Sequence, residues 1–297
     1  MIEKIAVFCK NLIDWFKSDR CFVSYFIKAF PLANNFMLLT ILLMSIFIIS
    51  MYMVIAGQTG INSVLSLLIV IMLSSAFGAG FFHSIRHNAD NADNPDNKIT
   101  VKSSFETFYA GIGEYYLSFF GMFLLFFVMA TLVIIATFFI ADKLLCGIEQ
   151  LGISPNDFFL ILAAPNQMDT IMDNLNAVQQ GHLKAWCRFF LFTTQAFTFL
   201  IMLWIPEKIY TKKHFFISLF TSIKKIFTDF PNALCVYLMI MFLNYILAIF
   251  IVLLSPSKFI AFLLNICSLY LLILNFYAIF LYYKHKFTEP EQNGWIA

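Results

Sequence analysis

The chain has 297 residues, of which 61% are hydrophobic and 12% are charged, and its formal net charge is +2 at pH 7. A soluble protein carries about twice that charged fraction, and a water-facing globule of this composition would expose large apolar patches. The composition therefore excludes a soluble enzyme, a disordered chain and a fibrous repeat, and it indicates an integral membrane protein.

Six apolar runs are long enough to cross a membrane as helices, because a hydrocarbon core about 30 Å thick needs roughly 20 apolar residues of helix. Lipid offers the backbone no hydrogen-bond partner, and no alternating strands are visible. The sequence therefore predicts an all-α polytopic protein, a single membrane domain with six transmembrane helices. The predicted spans are 36–55, 64–82, 116–140, 185–204, 233–254 and 259–283.

The cationic residues are distributed unevenly between the two sides of the predicted bundle. Fifteen of the 19 Lys and Arg residues precede the first span or follow the second, fourth and sixth spans. The opposite side keeps only Lys143, Lys184, Lys258 and, near the start of the fourth span, Arg188. Since cationic residues accumulate on the cytoplasmic side of membrane proteins, we expect both termini to face the cytoplasm.

The N-terminal segment and the cysteines bear on targeting and redox chemistry. Charges at Lys10 and Asp14 interrupt any apolar core of a cleavable signal peptide. Of the six cysteines, Cys9 and Cys21 fall on the predicted cytoplasmic side and only Cys146 falls in an outer loop. This distribution implies no disulfide framework.

Three stretches before the odd-numbered spans show the apolar periodicity of a helix. One interpretation is a set of amphipathic interfacial helices on the cytoplasmic side, with the aromatic face toward acyl chains and the basic face toward anionic headgroups. The other, given equal weight, is that each helix packs beneath the bundle. The apolar residues are Ile5, Phe8, Leu12, Phe22, Phe26 and Phe30, then Phe105, Phe108, Tyr109 and Ile112, then Phe216, Leu219, Phe220, Ile223 and Phe227.

The first and third of these stretches are similar in sequence. FVSYF at 22–26 leads to FPLA at 30–33, and FISLF at 216–220 leads to FPNA at 230–233. In both, a proline marks the break before the span. A threefold repeat of one helix and two spans follows, over 20–88, 102–205 and 214–285. Chance similarity is the rival explanation, because the chain contains 38 phenylalanines.

Two connections are longer than the spans require. The cytoplasmic link at 88–97 is an acidic, polar turn. The outer loop, about 142–184, is predicted to form a small helical hairpin on the outer face, too small for a catalytic domain. Its first helix starts at Pro155 and stops at Pro165, and its second presents Ile171, Leu175 and Val178 as one apolar stripe.

Two groups of residues have the types that bind metals. Asp90, Asp93 and Asp96 recur at every third position, but the spacing, glycine and glutamate of an EF-hand are missing. His83 and His87 are one helical turn apart, without the glutamate of a metalloprotease motif. We interpret the turn as a solvated loop and the histidines as an interfacial pair that bonds headgroups or backbone, and we predict no cofactor or metal.

The polar residues deep in the spans are neutral. Gln195, Asn244, Asn265 and Asn275 would line a polar cavity if they faced one another. Interhelical hydrogen bonding in hydrocarbon is the favoured alternative. No acidic residue lies deep in a span, which disfavours proton-coupled transport and intramembrane proteolysis.

The cationic residues near the third interfacial stretch are candidates for contacts with lipid headgroups. They are Lys212, Lys213, Lys224 and Lys225, together with His83 and His87. Because the basic residues are dispersed along one membrane face, the partner they indicate is anionic lipid rather than nucleic acid. A protein partner or a second copy of the chain is also compatible with this surface.

Small residues lie on one face of the second span. Ser74 and Gly78, and likewise Ala76 and Gly80, are four residues apart. This spacing lets helices approach closely and predicts a packing seam, with a hinge or a dimer contact as the alternative.

Short segments give the chain a resemblance to a group of bacterial proteins. These segments are AFGAGFF at 76–82, SFETF at 104–108, IPEK at 205–208, SL at 218–219 and FPN at 230–232. Their layout resembles poorly characterised six-span proteins grouped around the membrane domain of glycerophosphodiester phosphodiesterases. Where that membrane domain is joined to a soluble phosphodiesterase, catalysis belongs to the soluble domain, for which this chain has no room. The resemblance thus implies a bacterial inner membrane and carries over no catalytic residue.

Three functional hypotheses follow. The leading one is a non-enzymatic inner-membrane protein that organises lipid or forms the membrane component of a transport or envelope assembly. The second is a permease for an apolar or neutral solute, which requires the four amides to share a cavity. The third is an enzyme acting on lipid headgroups, which requires His83, His87 and the acidic turn to converge.

Overall fold

The computed structural model describes residues 22–59, 62–92, 101–145, 147–154, 158, 161, 173, 175–254 and 258–288. Within these residues the regular structure is entirely helical, which confirms the all-α class. The helices are α1 (Phe22–Ala33), α2 (Phe36–Thr59), α3 (Ser63–Asp90), α4 (Val101–Leu144), α5 (Ala177–Ile201), α6 (Trp204–Thr211), α7 (Phe215–Thr228), α8 (Phe230–Leu254) and α9 (Lys258–Phe287), with a short 3-10 helix at Ile148–Leu151.

Six of these helical segments are long and apolar enough to cross a membrane, which confirms the predicted number. They are built on α2, α3, α4, α5, α8 and α9. Each predicted span lies within one helix except the fourth, which was expected to continue to Trp204. The helix α5 ends at Ile201, and Met202 and Leu203 form a turn before α6 begins. The ring of Pro206, which has no N–H and crowds the carbonyl four residues earlier, explains the break.

The helix boundaries near the other prolines also differ in detail from the expected breaks. Pro31 lies inside α1, and the interruption between α1 and α2 falls instead at residues 34 and 35. The Asn35 side chain accepts a hydrogen bond of 3.0 Å from the Met37 N–H and so caps α2. Pro231 lies in the first turn of α8, where its missing N–H costs nothing.

The second interfacial stretch is not a separate helix. The helix α4 runs without interruption over 44 residues from Val101 to Leu144, a length of about 66 Å at 1.5 Å per residue. Its first turns therefore extend beyond the roughly 30 Å of a hydrocarbon core. The threefold repeat and the amphipathic character of the surface helices stay predictions.

The contacts between residues divide the chain into two compact units. The larger unit comprises Met1–Phe123 and Ile201–Ala297, and the smaller unit comprises Leu124–Leu200. In the larger unit the buried residues concentrate at the end where α3 finishes and α4 begins. In α9, for example, the last turns from Ile273 to Tyr283 are largely buried, whereas Phe259 and Phe262 near its start are exposed. The exposed part has the composition of a surface covered by lipid.

The small-residue face of α3 packs against α4, which confirms the predicted seam. A Cβ atom added at Gly80 would lie 2.8 Å from the carbonyl oxygen of Phe108, and one added at Gly111 would lie 2.9 Å from the carbonyl oxygen of Ala79. At Gly78 the neighbours are the rings of Phe119 and Phe123. The two backbones thus approach each other as closely as glycine permits.

We expect Gly111→Ala to destabilise the protein by about 2 kcal/mol, since the new methyl group would force α3 and α4 apart. The matched control is Gly113→Ala, because no atom lies within 4 Å of a Cβ at Gly113. This control should stabilise the helix by up to about 1 kcal/mol. Thermal unfolding of both variants in one detergent measures the difference, and equal midpoints would contradict the seam.

The smaller unit has a core of its own around Trp186. Its other buried residues are Ala141, Leu151, Phe158, Ile161, Leu183 and Phe190. Phe158 and Ile161 are helical, in the region where the sequence predicts the first helix of the outer hairpin. Of the second predicted stripe, Leu175 packs against this core, whereas Val178 is exposed. The predicted second helix is wrong in this part, because Leu175 and Asn176 are not helical and Val178 belongs to α5. The Asn176 side chain accepts a hydrogen bond of 2.9 Å from the Gln179 N–H and so caps α5 at this point. Ile171 lies outside the described residues.

Candidate functional site

The candidate site is built around α6, a short helix that follows the fourth span. The indole N–H of Trp204 donates a hydrogen bond of 2.9 Å to the carbonyl oxygen of Phe215 and so joins the start of α6 to α7. Lys212 ends α6 in a left-handed conformation, with φ of 55°. Its N–H bonds the carbonyl oxygen of Lys208 at 3.0 Å. This geometry holds Glu207, in the first turn of α6, at a fixed position.

Glu207 is fully buried and is the centre of the site. Its Oε2 atom accepts a hydrogen bond of 2.5 Å from the Tyr283 hydroxyl and lies 2.7 Å from the Lys225 ammonium. Lys225 in turn donates to the Tyr283 hydroxyl at 2.6 Å. The Oε1 atom has no hydrogen-bond partner in the described structure and lies 3.8 Å from the Lys213 Nζ atom. A buried charge requires such pairing.

The aromatic rings around Lys225 add to this pairing. The Lys225 Nζ atom lies 4.5 Å from the centre of the Tyr283 ring and 5.1 Å from that of Phe287. A cation over an aromatic face is attracted by the ring quadrupole. The group formed by Glu207, Lys225 and Tyr283, which we call the Glu207 triad, therefore ties α6, α7 and α9 together.

A second set of charges is joined to the triad through Tyr210. The Tyr210 ring stacks on Tyr283 with centroids 5.3 Å apart, and its hydroxyl donates to Asp90 at 2.9 Å. Asp90 also forms an ion pair with Arg86 at 3.3 Å. The Arg86 guanidinium lies over the Tyr210 ring and donates to the carbonyl oxygen of Ile209 at 3.0 Å. The end of α3 is thereby fixed to α6.

Further hydrogen bonds join the C-terminal end of α9 to neighbouring helices. The Tyr282 hydroxyl donates to Asp229 at 2.9 Å, and Asn88 donates to the Tyr277 hydroxyl at 2.8 Å. The carboxylates at 207 and 229 and the Asp90 side chain all accept hydrogen bonds from tyrosines. The arrangement is thus a network of paired charges, which stabilises helix contacts. One buried atom of the network, Oε1 of Glu207, has no hydrogen-bond partner in the described structure.

The lysines predicted to contact headgroups have different surroundings. Lys212 pairs with Glu114 at 2.5 Å in an exposed contact, and Lys225 and Lys213 face Glu207 as described above. Lys224 is exposed, and no described side chain pairs with it. The sequence predicts that these cations lie on one side of the membrane but does not reveal which of them have a partner within the protein.

The two predicted histidines, His83 and His87, contact different residues. The ring of His83 lies 5.6 Å from that of Tyr115, and its buried Nδ1 atom has no hydrogen-bond partner in the described structure. His87 is paired with Asn91, the residue that caps the end of α3. Among the described residues no three His, Cys, Asp or Glu side chains are close enough to hold a metal ion. The predicted loop is wrong for residues 88–90, because Asp90 is the last residue of α3 and accepts a hydrogen bond from Tyr210. Asp93 and Asp96 of the acidic turn lie outside the described residues.

The four amides predicted to line a cavity differ in exposure. Asn275 is buried, and its Oδ1 atom has no hydrogen-bond partner in the described structure. Asn244 and Asn265 are exposed, and Asn244 donates to the carbonyl oxygen of Ile240 in its own helix at 2.8 Å. Gln195 belongs to the smaller unit. A shared cavity for the four amides stays a prediction.

Sequence reasoning did not find the tyrosines of the site. Tyr277, Tyr282 and Tyr283 are grouped in the last turns of the sixth span, where aromatic residues usually anchor a helix at the interface. Glu207 offered one signal, since it is an acidic residue placed directly after an apolar run. Its partners follow 18 and 76 positions later in the chain, and no local pattern links them.

The six apolar helices define the class of this chain as a polytopic α-helical membrane protein. No protein-family model, curated protein or solved structure matches it. The resemblance to six-span bacterial membrane proteins thus stays a prediction.

Proposed function

We propose that this chain is a non-enzymatic protein of a bacterial inner membrane that organises lipid, either alone or as the membrane component of a transport or envelope assembly. Both termini face the cytoplasm in this proposal. The observation that carries it is the exposed aromatic face of α7, which lies beside the Glu207 triad.

The helix α7 has two faces of different composition. One face is buried against the rest of the larger unit and consists of Ser218, Leu219, Ser222 and Ile226. The opposite face exposes Phe216, Ile217, Phe220 and Phe227 to between 46% and 70%. In water such a face would be costly, because burying one phenylalanine side chain is worth about 1.5–3 kcal/mol. Acyl chains would cover it at little cost.

The length and charge of α7 favour an interfacial position. Its 14 residues span about 21 Å as a helix, which is less than the roughly 30 Å of a hydrocarbon core. The exposed Lys224 lies on the aromatic face between Phe220 and Phe227. A cation beside apolar side chains is the arrangement with which an interfacial helix binds anionic lipid.

A non-enzymatic role is favoured by the way the ionisable groups are used. Glu207, Asp90 and Asp229 each bond to a tyrosine and face a cation, at Lys225, Arg86 and Lys286 respectively. General acid and base catalysis needs a group within reach of a substrate. These carboxylates are instead engaged with other helices of the same unit.

The proposal is tested by the depth of α7 in a bilayer. We expect a spin label at Phe220→Cys, in a chain without the six native cysteines, to collide more often with oxygen than with a water-soluble nickel chelate. The control label at Lys212→Cys, an exposed position in the turn before α7, should show the opposite preference. Electron paramagnetic resonance in nanodiscs measures both.

Lipid composition supplies the second part of this test. Because Lys224 lies on the same face, the label at position 220 should lie deeper in phosphatidylglycerol nanodiscs than in phosphatidylcholine nanodiscs. Greater collision with the nickel chelate at position 220 in both lipids would contradict the proposal.

A further inference from the structure

Asn244 is an exposed polar residue near the middle of α8, one of the six helices long enough to cross a membrane. The helix runs from Phe230 to Leu254, so Asn244 lies about 21 Å from its start and about 15 Å from its end. With a hydrocarbon core about 30 Å thick, both distances place the amide deep among acyl chains. Acyl chains offer an amide no hydrogen-bond partner.

The amide of Asn244 is only partly satisfied within its own helix. One N–H donates to the carbonyl oxygen of Ile240 at 2.8 Å. The Oδ1 atom accepts no hydrogen bond from any residue that the structure describes. An unpaired carbonyl oxygen in hydrocarbon is unfavourable. The side chain therefore has a capacity for hydrogen bonding that a single copy of the chain does not use.

The helix surface around Asn244 is open to a second helix. All buried residues of α8 lie in its first two turns. Ala248, one turn after Asn244 on the same side of the helix, is exposed, and its small side chain lets another backbone approach closely. Positions three, four and three residues apart share one side of a helix. We call this side the Asn244 face, and it comprises Met241, Asn244, Ala248 and Ile251.

The chemistry of the amide favours a second copy of this chain as the occupant of the Asn244 face. Asparagine carries both N–H donors and an oxygen acceptor. Two Asn244 side chains related by a twofold axis can therefore each donate one N–H to the Oδ1 atom of the other. Copies inserted in the same orientation present this residue at the same depth, whereas a different protein would need a matching polar group there. A contact of the same surface with itself is the commonest form of protein dimer.

We propose that the chain forms a parallel homodimer in the membrane through the Asn244 face of α8, with reciprocal hydrogen bonds between the two Asn244 side chains. The contact is one helix against its copy, so the buried area is smaller than that of a standard protein interface and the dimer dissociates reversibly. The proposal goes beyond lipid organisation and does not depend on the position of α7.

Förster transfer between donor-labelled and acceptor-labelled copies in liposomes tests the dimer. The labels are attached to a single cysteine at the exposed position 143, in a chain without the native cysteines. We expect Asn244→Leu to raise about tenfold the protein-to-lipid ratio at which half of the copies associate, because side-chain hydrogen bonds between spanning helices contribute on this scale. Asn244→Gln, which keeps the amide, should stay within about threefold of the unmodified chain. An unchanged ratio for Asn244→Leu would overturn the proposal, and so would a lack of transfer in the unmodified chain.

Thr131→Val is the matched control for Asn244→Leu. Thr131 is also an exposed polar residue of a spanning helix, but its hydroxyl donates within α4, to the carbonyl oxygen of Phe127 at 2.9 Å. The control should change the protein-to-lipid ratio at half association by less than about twofold. Equal losses of association in Thr131→Val and Asn244→Leu would overturn the assignment to the Asn244 face.

Disulfide crosslinking in the membrane tests the same face even if Asn244→Leu fails to fold. A single cysteine introduced by Ala248→Cys should link two copies on oxidation, because a disulfide forms where two Cα atoms approach within about 7 Å. The control Phe250→Cys replaces a side chain that is 49% exposed but lies about 200° further round the helix, so it should not link them. Absence of a crosslink at position 248, or equal crosslinking at both positions, would overturn the proposal.

Discussion

Replacing Glu207 by alanine is expected to lower the free energy of unfolding by about 3 kcal/mol. The side chain is fully buried, and its removal leaves the Tyr283 hydroxyl without its acceptor and the Lys225 ammonium without its anionic partner. An uncompensated buried charge is among the costliest defects a protein can carry. Lys225 retains 22% side-chain exposure, which places the expected loss at the lower end of the usual 3–5 kcal/mol.

Glu114→Ala is the matched control for this variant. Glu114 also pairs with a lysine, Lys212, but the two side chains are 39% and 62% exposed. An exposed ion pair is worth less than about 1 kcal/mol, so this variant should unfold almost as the unmodified protein does. Titration with sodium dodecyl sulfate, followed by circular dichroism, measures both. Equal losses in the two variants would contradict a structural role for the Glu207 triad.

Replacing Trp186 by alanine is expected to cost about 4 kcal/mol. The indole is fully buried in the core of the smaller unit. Its ring lies 5.4 Å from Phe138, 5.2 Å from Phe158 and 6.3 Å from Phe190, measured between centroids. A cavity at this place would remove all three aromatic contacts at once.

Two further variants test whether the loss comes from ring packing at this position, rather than from the indole N–H or from the loss of any aromatic ring on α5. The indole N–H of Trp186 has no hydrogen-bond acceptor in the described structure. Trp186→Phe, which keeps a ring and removes that buried donor, should therefore recover most of the loss. Phe192→Ala on the same helix should cost little, since that ring is 70% exposed. The same denaturant titration measures all three, and a large loss in Phe192→Ala would contradict this account.

The six spans could be predicted because hydrocarbon thickness fixes the length of a spanning helix. The packing seam between α3 and α4 was also predictable. Ser74 and Gly78, and likewise Ala76 and Gly80, are small residues four positions apart and therefore lie on one helix face. Its counterpart Gly111 could not be found in this way. What makes Gly111 a close contact is its position opposite Ala79, which depends on how α4 crosses α3.

The Glu207 triad shows why the rest of the site could not be predicted. The sequence shows positive charge at Lys213 and Lys225 near the predicted membrane surface, and from it we predicted contacts with lipid headgroups. The buried carboxylate that faces both lysines lies on a different helix, and the Tyr283 hydroxyl that shares it lies on a third. Pairing of this kind is decided by tertiary packing and not by local sequence.

The helix break after Ile201 shows that hydropathy alone does not predict where a helix ends. The apolar run continues to Trp204, so hydropathy alone places the end of the span there. The backbone ends α5 earlier because of Pro206, and Trp204 begins the helix that carries Glu207. Composition sets the approximate extent of a span, whereas proline stereochemistry sets where its helix ends.

In the proposed topology, six helices cross the membrane with their cation-rich ends in the cytoplasm. Single cysteines at Lys224 and Lys143, both exposed, test it directly in spheroplasts of a strain that expresses a chain without native cysteines. We predict that a membrane-impermeant maleimide labels position 143 in intact spheroplasts and position 224 only after permeabilisation. Labelling of position 224 in intact spheroplasts, with position 143 protected, would contradict the orientation and the proposed site of lipid contact.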